Sequence, residues 1–365
     1  MKIGILTYHD TTNYGAALQA YALQRKIQEL GYEVDIIDYK CEAVTNRYKI
    51  KKLREIKDPK ELIKTILTRK TNRKLKYEFE RFKKDFQKIS KKSYYKNDIA
   101  ECLNIYDKII VGSDQVWNLD LSGNDETYFL DFIKDPKRKI AYAASFGYSQ
   151  VPQKYVEKTK ECLENLDNIS VREIQGKKLI EDLVNKQVEV VLDPTLLLEK
   201  KDYMNLIEKP KKCYDKDYIL LYKMSDTPTL MKFARKLAKI TKCKIIYLNH
   251  SYKYQLGMDN IRGASVGEFI WYLENAKYVV TSSFHGVAMS IVFNKNFFYE
   301  LDNSKGNSNS RTKNLVELLN LECREIVQAE NNEIDNQIEY NKVDKILTKE
   351  REKSIEFLTK NLESD

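Results

Sequence analysis

The stretch "TSSFHG", residues 281–286, holds one of only three histidines in 365 residues. It closes the apolar run "YVVT" and opens a second, "GVAMSIVF". That places Ser282, Ser283 and His285 at a strand-to-helix junction. A helix N-terminus disfavours an imidazolium, whereas a bound dianion favours it. His285 can therefore act as a proton donor while an anionic substrate is present. The alternative is a capped turn around a packed histidine. His9 and His250 each stand alone and read as polar residues without a chemical role.

Four further stretches carry residue types suited to chemistry. "SVRE" ends in Arg172 and Glu173. A guanidinium is the preferred two-pronged partner of carboxylate and phosphate, and an ion pair with Glu173 is its ordinary structural use. "VGSDQVWN" carries Ser113, Asp114, Trp117 and Asn118. Asp114 can accept a proton or orient a sugar hydroxyl, and Trp117 can stack on a sugar ring; helix capping and core filling are their structural alternatives. "HDTTNYGAALQA" offers Asn13 or Thr12 as a cap, followed by Tyr14, with Gly15 allowing close backbone approach to a ligand. "DNSKGNSNSR" places Lys305 and Arg311 in a loop rich in Gly, Asn and Ser that could fold over a cleft. Neither G-x-x-x-x-G-K-[ST] nor G-x-G-x-x-G occurs, and no H-E-x-x-H or carboxylate cluster calls for a metal.

These stretches follow strands in an α/β rhythm. "KIGILTY", a helix over "AALQAYALQRKIQELG" and "EVDIIDY" form a βαβ unit. "YDKIIVGSD", "KIAYAASFG", "NISVRE" and "VEVVLDPTLLL" supply further strands. A second series runs from "DYILLYKM" to "NFFYEL", and a charged amphipathic helix closes the chain. The expected fold class is α/β, with two Rossmann-like domains facing a cleft. The first covers 1–195 and carries a basic helical insertion at 41–100. The second covers 196–335, and helix 336–365 packs back on the body. In open α/β sheets the ligand lies beyond the carboxyl ends of the strands.

The net charge of +9 is unevenly spread. Residues 41–100 hold 20 Lys and Arg against 8 Asp and Glu, so the remainder is slightly acidic. Apolar residues at helical spacing between these cations suggest two basic helices. A solvated helical face, attraction to an anionic membrane surface and nucleic-acid binding are the readings open to this segment. No recognised motif accompanies the charge, so no nucleic-acid partner is expected. Six cysteines without a C-x-x-C pair argue against a zinc site or a disulfide framework. "MKIGILTYHD" is too short for a signal sequence and no run could span a bilayer, so the expected location is the cytoplasm, with 41–100 able to touch the inner membrane face.

"NYGAALQAYALQ", "VGSDQVWN", "AYAASFG", "SVRE", "VLDPTLL", "SSFHG" and "DNSKG…SR" appear in that order from Thr7 to about Leu319. Together they resemble the polysaccharide pyruvyl transferase family. The resemblance implies a GT-B-like fold and transfer of pyruvate from phosphoenolpyruvate to two sugar hydroxyls as a ketal. Phosphoenolpyruvate is then a co-substrate, and no cofactor is implied. The resemblance makes Arg172 the donor-binding arginine, His285 the general acid and Lys305 a helper stabilising the donor's charge. Ser282, Ser283, Gly286 and Arg311 would complete the donor site. Asn13, Tyr14, Gly15, Ser113, Trp117 and Asn118 would face the acceptor, with Asp114 taking a hydroxyl proton. Some members carry arginine where this chain has Ser283, and many carry an acid where it has Ala16. The same fold also suits a glycosyltransferase using a nucleotide sugar, or a non-catalytic glycan-binding protein.

Overall fold

The computed structural model describes every residue except 225–227, 250, 302–308, 330–333, 335 and 365. Seven parallel strands form the first sheet: β1 (Lys2–Leu6), β2 (Glu33–Tyr39), β3 (Ile89–Tyr94), β4 (Lys108–Val111), β5 (Lys139–Ala144), β6 (Asn168–Val171) and β7 (Glu189–Val190). Their order is β3-β2-β1-β4-β5-β6-β7. The second sheet holds β8 (Tyr218–Tyr222), β9 (Lys244–Leu248), β10 (Asp259–Ile261), β11 (Tyr278–Thr281) and β12 (Asn296–Tyr299), all parallel, in the order β10-β9-β8-β11-β12.

Strand direction of growth reverses between β1 and β4, and again between β8 and β11. Loops diverge at such switch points and leave a crevice. The loops after β1 and β4 are the stretches from His9 to Asn13 and from Gly112 to Asn118; the loop after β11 contains Ser282 and Ser283. Helices cover both faces of the central strands, so β4, β8 and β11 are buried throughout and read as unbroken apolar runs.

The basic segment differs from the expected pair of helices. A short helix, Glu42–Tyr48, precedes a long one, Pro59–Phe86. The chain then re-enters the first sheet as β3, paired with β2, so part of 41–100 belongs to the sheet. The long helix buries Leu75, Phe79 and Phe82, and Phe79 packs 5.3 Å from the Tyr14 ring. Arg81 grips Glu208 with two bonds of 2.5 and 2.7 Å, tying the helix to the second half of the chain. "VEVVLDPTLLL" is likewise less of a strand than its composition suggests. Only Glu189–Val190 pairs, and Asp193 then caps the short helix Pro194–Leu197. Pro194 fits the first helical position because its missing N–H has no helical partner to lose there.

The helix Tyr340–Glu363 straps the two halves together. At its start, Tyr340 donates to the Lys295 carbonyl. Further along, the Ser354 hydroxyl accepts from Leu192 N–H, and Lys108 reaches the Asn361 carbonyl. Phe357 is 4% exposed and belongs to the core shared by both sheets. Replacing it with alanine leaves a cavity, and a loss of about 3–5 kcal/mol is expected. Urea denaturation of Phe357→Ala measures this; an unchanged midpoint would show that the strap contributes little.

Candidate active site

The loops after β1, β4 and β11, with the start of the helix Ser310–Leu318, enclose a cleft of about 490 Å³. Asn13, Asp114, Asn118, Ser282, Ser283, His285 and Arg311 all line it. Seven of the residues singled out by sequence thus meet at one place although their positions span most of the chain.

Asp193, to which the sequence reading gave no role in the site, organises the centre. Its carboxylate is buried completely. One oxygen accepts from the Thr195 amide and hydroxyl at 3.0 and 2.7 Å. The other accepts from Arg172 Nη1 at 2.9 Å and from Ser113 Oγ at 3.0 Å, and lies 3.7 Å from His285 Nε2. Burial pushes the Asp193 carboxyl up, but His285, Arg172 and Thr195 outweigh it and hold the group well below the usual carboxylate range. The only sequence signal was Asp-Pro-Thr, a helix-start pattern.

Arg172 extends from β6 into this cluster. Besides Asp193 it has Asp114 Oδ1 at 3.5 Å from Nη2 and Glu173 Oε2 at 3.6 Å from Nε, both beyond hydrogen-bonding distance. The Phe284 ring covers its guanidinium at 5.0 Å and forms the wall between the main cleft and a smaller cavity of about 310 Å³ that Arg172 lines. Among the described residues, Arg172 Nε and Nη2 are buried with no hydrogen-bond partner, as is His285 Nε2. Buried donors are rarely left unpaired, so three together call for an acceptor.

The second arginine, Arg311, faces Gln115, whose amide, turned so that its oxygen points at the guanidinium, accepts from Nη2 and Nη1 at 2.6 and 2.9 Å. Burial and the neighbouring Arg172 push its pKa down to about 10, leaving it charged at neutral pH. Glu173 is buried and receives the Ser145 hydroxyl at 2.6 Å. Burial pushes its carboxyl up, against the pull of Arg172 and Arg311. The two buried acids are thus pushed in opposite directions, Glu173 up and Asp193 down.

Several expected contacts lie behind the cleft wall. The Trp117 ring is 1% exposed, stacks on Phe129 and donates from Nε1 to the Tyr128 carbonyl, so it cannot stack on a sugar. Tyr14 stacks on Phe269 and donates to the Ala264 carbonyl, joining the two halves of the molecule. Ser113 is fully buried and supports Asp193. Gly15 makes room for His285: a Cβ there would lie 2.1 Å from Nδ1. Gly286 packs on Thr281, where a Cβ would meet Oγ1 at 2.3 Å, and its N–H is held by Ser283 Oγ. Asn13, Asn118 and Ser283 cap their helices by accepting from Ala16, Leu121 and Gly286, while lining the cleft. Ser282 Oγ accepts from Met224 N–H. Lys305 and His250 fall outside the described residues. Among the described residues, no three His, Cys, Asp or Glu side chains are grouped to hold a metal ion.

The Asp193 arrangement has a measurable consequence. Asp193→Asn removes the one carboxylate that is hydrogen-bonded to the buried Arg172, leaving only Asp114 and Glu173 at longer range, and a loss of about 3–5 kcal/mol is expected. Because the folded-state pKa is depressed, the stabilisation is fully present above the ordinary carboxylate pKa of about 3.9 and is lost as pH falls below it. Denaturation of both proteins from pH 7 to pH 3 tests this; a gap that stays constant with pH would contradict it.

The sequence matches the description "Polysaccharide pyruvyl transferase" over residues 13–299. No curated protein matches significantly. The fold is similar to that of UDP-GlcNAc 2-epimerase from Methanocaldococcus jannaschii, at 12% identity and a TM-score of 0.52, covering 98% of this chain and 99% of that one. It is also similar to UDP-GlcNAc 2-epimerase from Neisseria meningitidis, at 9% identity and a TM-score of 0.50, covering 99% and 100%. At such identities the likeness concerns the fold, two parallel sheets of GT-B-like arrangement. The match over residues 13–299 includes β1-to-β4 loop residues, Arg172, Asp193 and His285, and by it the chain belongs to the polysaccharide pyruvyl transferase family.

Proposed function

We propose that the protein transfers the pyruvyl group of phosphoenolpyruvate to two hydroxyls of a sugar, forming a pyruvate ketal in surface polysaccharide synthesis. The observation that carries this reading is the set of unpaired buried donors, Arg172 Nε and Nη2 with His285 Nε2. A small anion bearing carboxylate and phosphate would satisfy them, with Phe284 moving aside to admit it. Arg311 is the second cation for that anion, and Lys305 is proposed as a third.

His285, which faces Asp193 at 3.7 Å, protonates C3 of the donor. C2 becomes electrophilic, and a sugar hydroxyl adds to it while giving its proton to Asp114. The bond from C2 to the phosphate oxygen breaks and inorganic phosphate leaves. The second hydroxyl then adds to C2 and closes the ketal. Of the two hydroxyl protons, one ends on the new methyl group and one on phosphate. No atom changes its oxidation state by an external agent, so the reading calls for no redox cofactor. Positioned proton transfer of this kind supplies about 10²–10⁴-fold.

His285→Ala should retain phosphoenolpyruvate binding and lose transfer by about 10²-fold or more. Arg172→Ala should instead raise KM for the donor, having lost its two-pronged partner. Phosphate release across a panel of acceptor glycans, with mass spectrometry for the ketal, measures both. Near-normal turnover in the first variant, or an unchanged KM in the second, would refute the assignments. Thermal stabilisation by UDP and not by phosphoenolpyruvate would favour a nucleotide-sugar glycosyltransferase.

The proposed location is the cytoplasm, with the enzyme docked on an anionic bilayer surface. Among the described residues, no helix is long and apolar enough to cross a membrane. Ile63, Ile66 and Leu67 are 54–59% exposed on the long helix. At 100° per residue they share one face with Lys60, Lys70 and Lys74. Apolar residues ringed by lysine fit the headgroup region of an anionic membrane. Wild-type protein should co-sediment with phosphatidylglycerol vesicles at low salt, and Lys60→Glu/Lys70→Glu should not. Binding that survives the charge reversal would rule this docking out.

A further inference from the structure

The cleft continues into a second groove of about 460 Å³. Asn13, Arg47, Tyr48 and Met224 line both, so the two are contiguous. The groove runs between the chain after β2 and the long helix Pro59–Phe86. Arg47, Lys49, Lys64, Arg69 and Lys76 line it. Among the described residues none of these five makes an ion pair; the only one within the groove joins Lys51 to Glu61 at 2.6 Å. Arg69 is half-buried, and its Nε is shielded from solvent without a hydrogen-bond partner among the described residues. Among the described residues, Arg47 makes one long side-chain hydrogen bond, of 3.4 Å to the Leu121 carbonyl.

Uncompensated like charges lining one concavity repel each other and raise the local concentration of anions. The donor anion does not account for them, because its proposed cations, Arg172 and Arg311, lie just after β6 and in the helix Ser310–Leu318. A neutral glycan would leave all five cations without a counter-charge. The volume suits a compact ligand rather than a polymer strand. We infer that this groove binds the diphosphate of an activated acceptor, a glycosyl diphosphate whose sugar reaches the adjoining cleft. This rests on the pyruvyl-transfer reading only for the word acceptor. The anion site itself stands on the groove's own residues. The diphosphate could be carried by a nucleoside or by a polyprenyl chain, and the same cations would hold either.

Titration calorimetry on the full chain, with phosphoenolpyruvate saturating to block the donor cations, tests the inference. The probes are inorganic pyrophosphate, glucose, uridine diphosphate glucose and a short-chain polyprenyl diphosphate glucose. Both glucose diphosphates should bind at least tenfold more tightly than glucose, and the tighter one identifies the carrier. Lys64→Gln/Arg69→Gln should lose at least tenfold in pyrophosphate affinity while keeping its affinity for phosphoenolpyruvate, which also reports that it is folded. Pyrophosphate affinity unchanged in the double variant, or glucose binding as well as its diphosphates, would overturn the inference. If wild type fails to bind phosphoenolpyruvate but the variant, folded by circular dichroism, still loses pyrophosphate, the transfer reading falls and the groove stands.

Discussion

A single buried carboxylate sets the geometry of this site. Asp193 binds Arg172, Ser113 and Thr195 directly and faces His285 at 3.7 Å. A charge taken out of water is costly unless its partners are fixed. Here they are fixed by four separate segments: the ends of β4 and β6, the capped turn at Pro194, and the helix start after β11. The carboxylate therefore couples the two sheets as well as the two candidate catalytic cations.

The remainder of the wall serves that cluster through shape. Gly15 keeps the first helix close enough for its backbone to touch the His285 ring, and Gly286 does the same for its own helix against Thr281. Neither glycine needs to meet a ligand to be required. Tyr14 and the strap helix then hold the halves in register, so that loops from distant parts of the chain meet at one cleft. The long basic helix completes the arrangement from the other side. Its apolar face is anchored near Tyr14, and its cations are left facing a groove.

The strands and most helices were legible because buried parallel strands read as apolar runs and helices carry their period. His285, Arg172 and Asp114 were legible because they follow such strands, where open α/β sheets bind ligands. β3 escaped because "ISKKSY" alternates with lysines on a sheet edge, where solvent can reach them. Trp117 and Ser113 were assigned to the ligand because a strand-end position does not say which way a side chain turns. One turned into the core and the other toward Asp193.

The order of the elements, the carboxyl-end loops and the residue types that can bind an anion and move a proton were determined by the sequence, since periodicity and turn chemistry are local. Which of those residues share a wall was decided only by the tertiary structure. Asp193 lies 21 residues from Arg172, and Gly15 lies on a different sheet's helix from His285. The approach of such groups depends on how two sheets pack, and packing leaves no periodic mark in the chain. The same holds for the cationic groove: its charge was visible as a basic segment, but its opening onto the cleft was not.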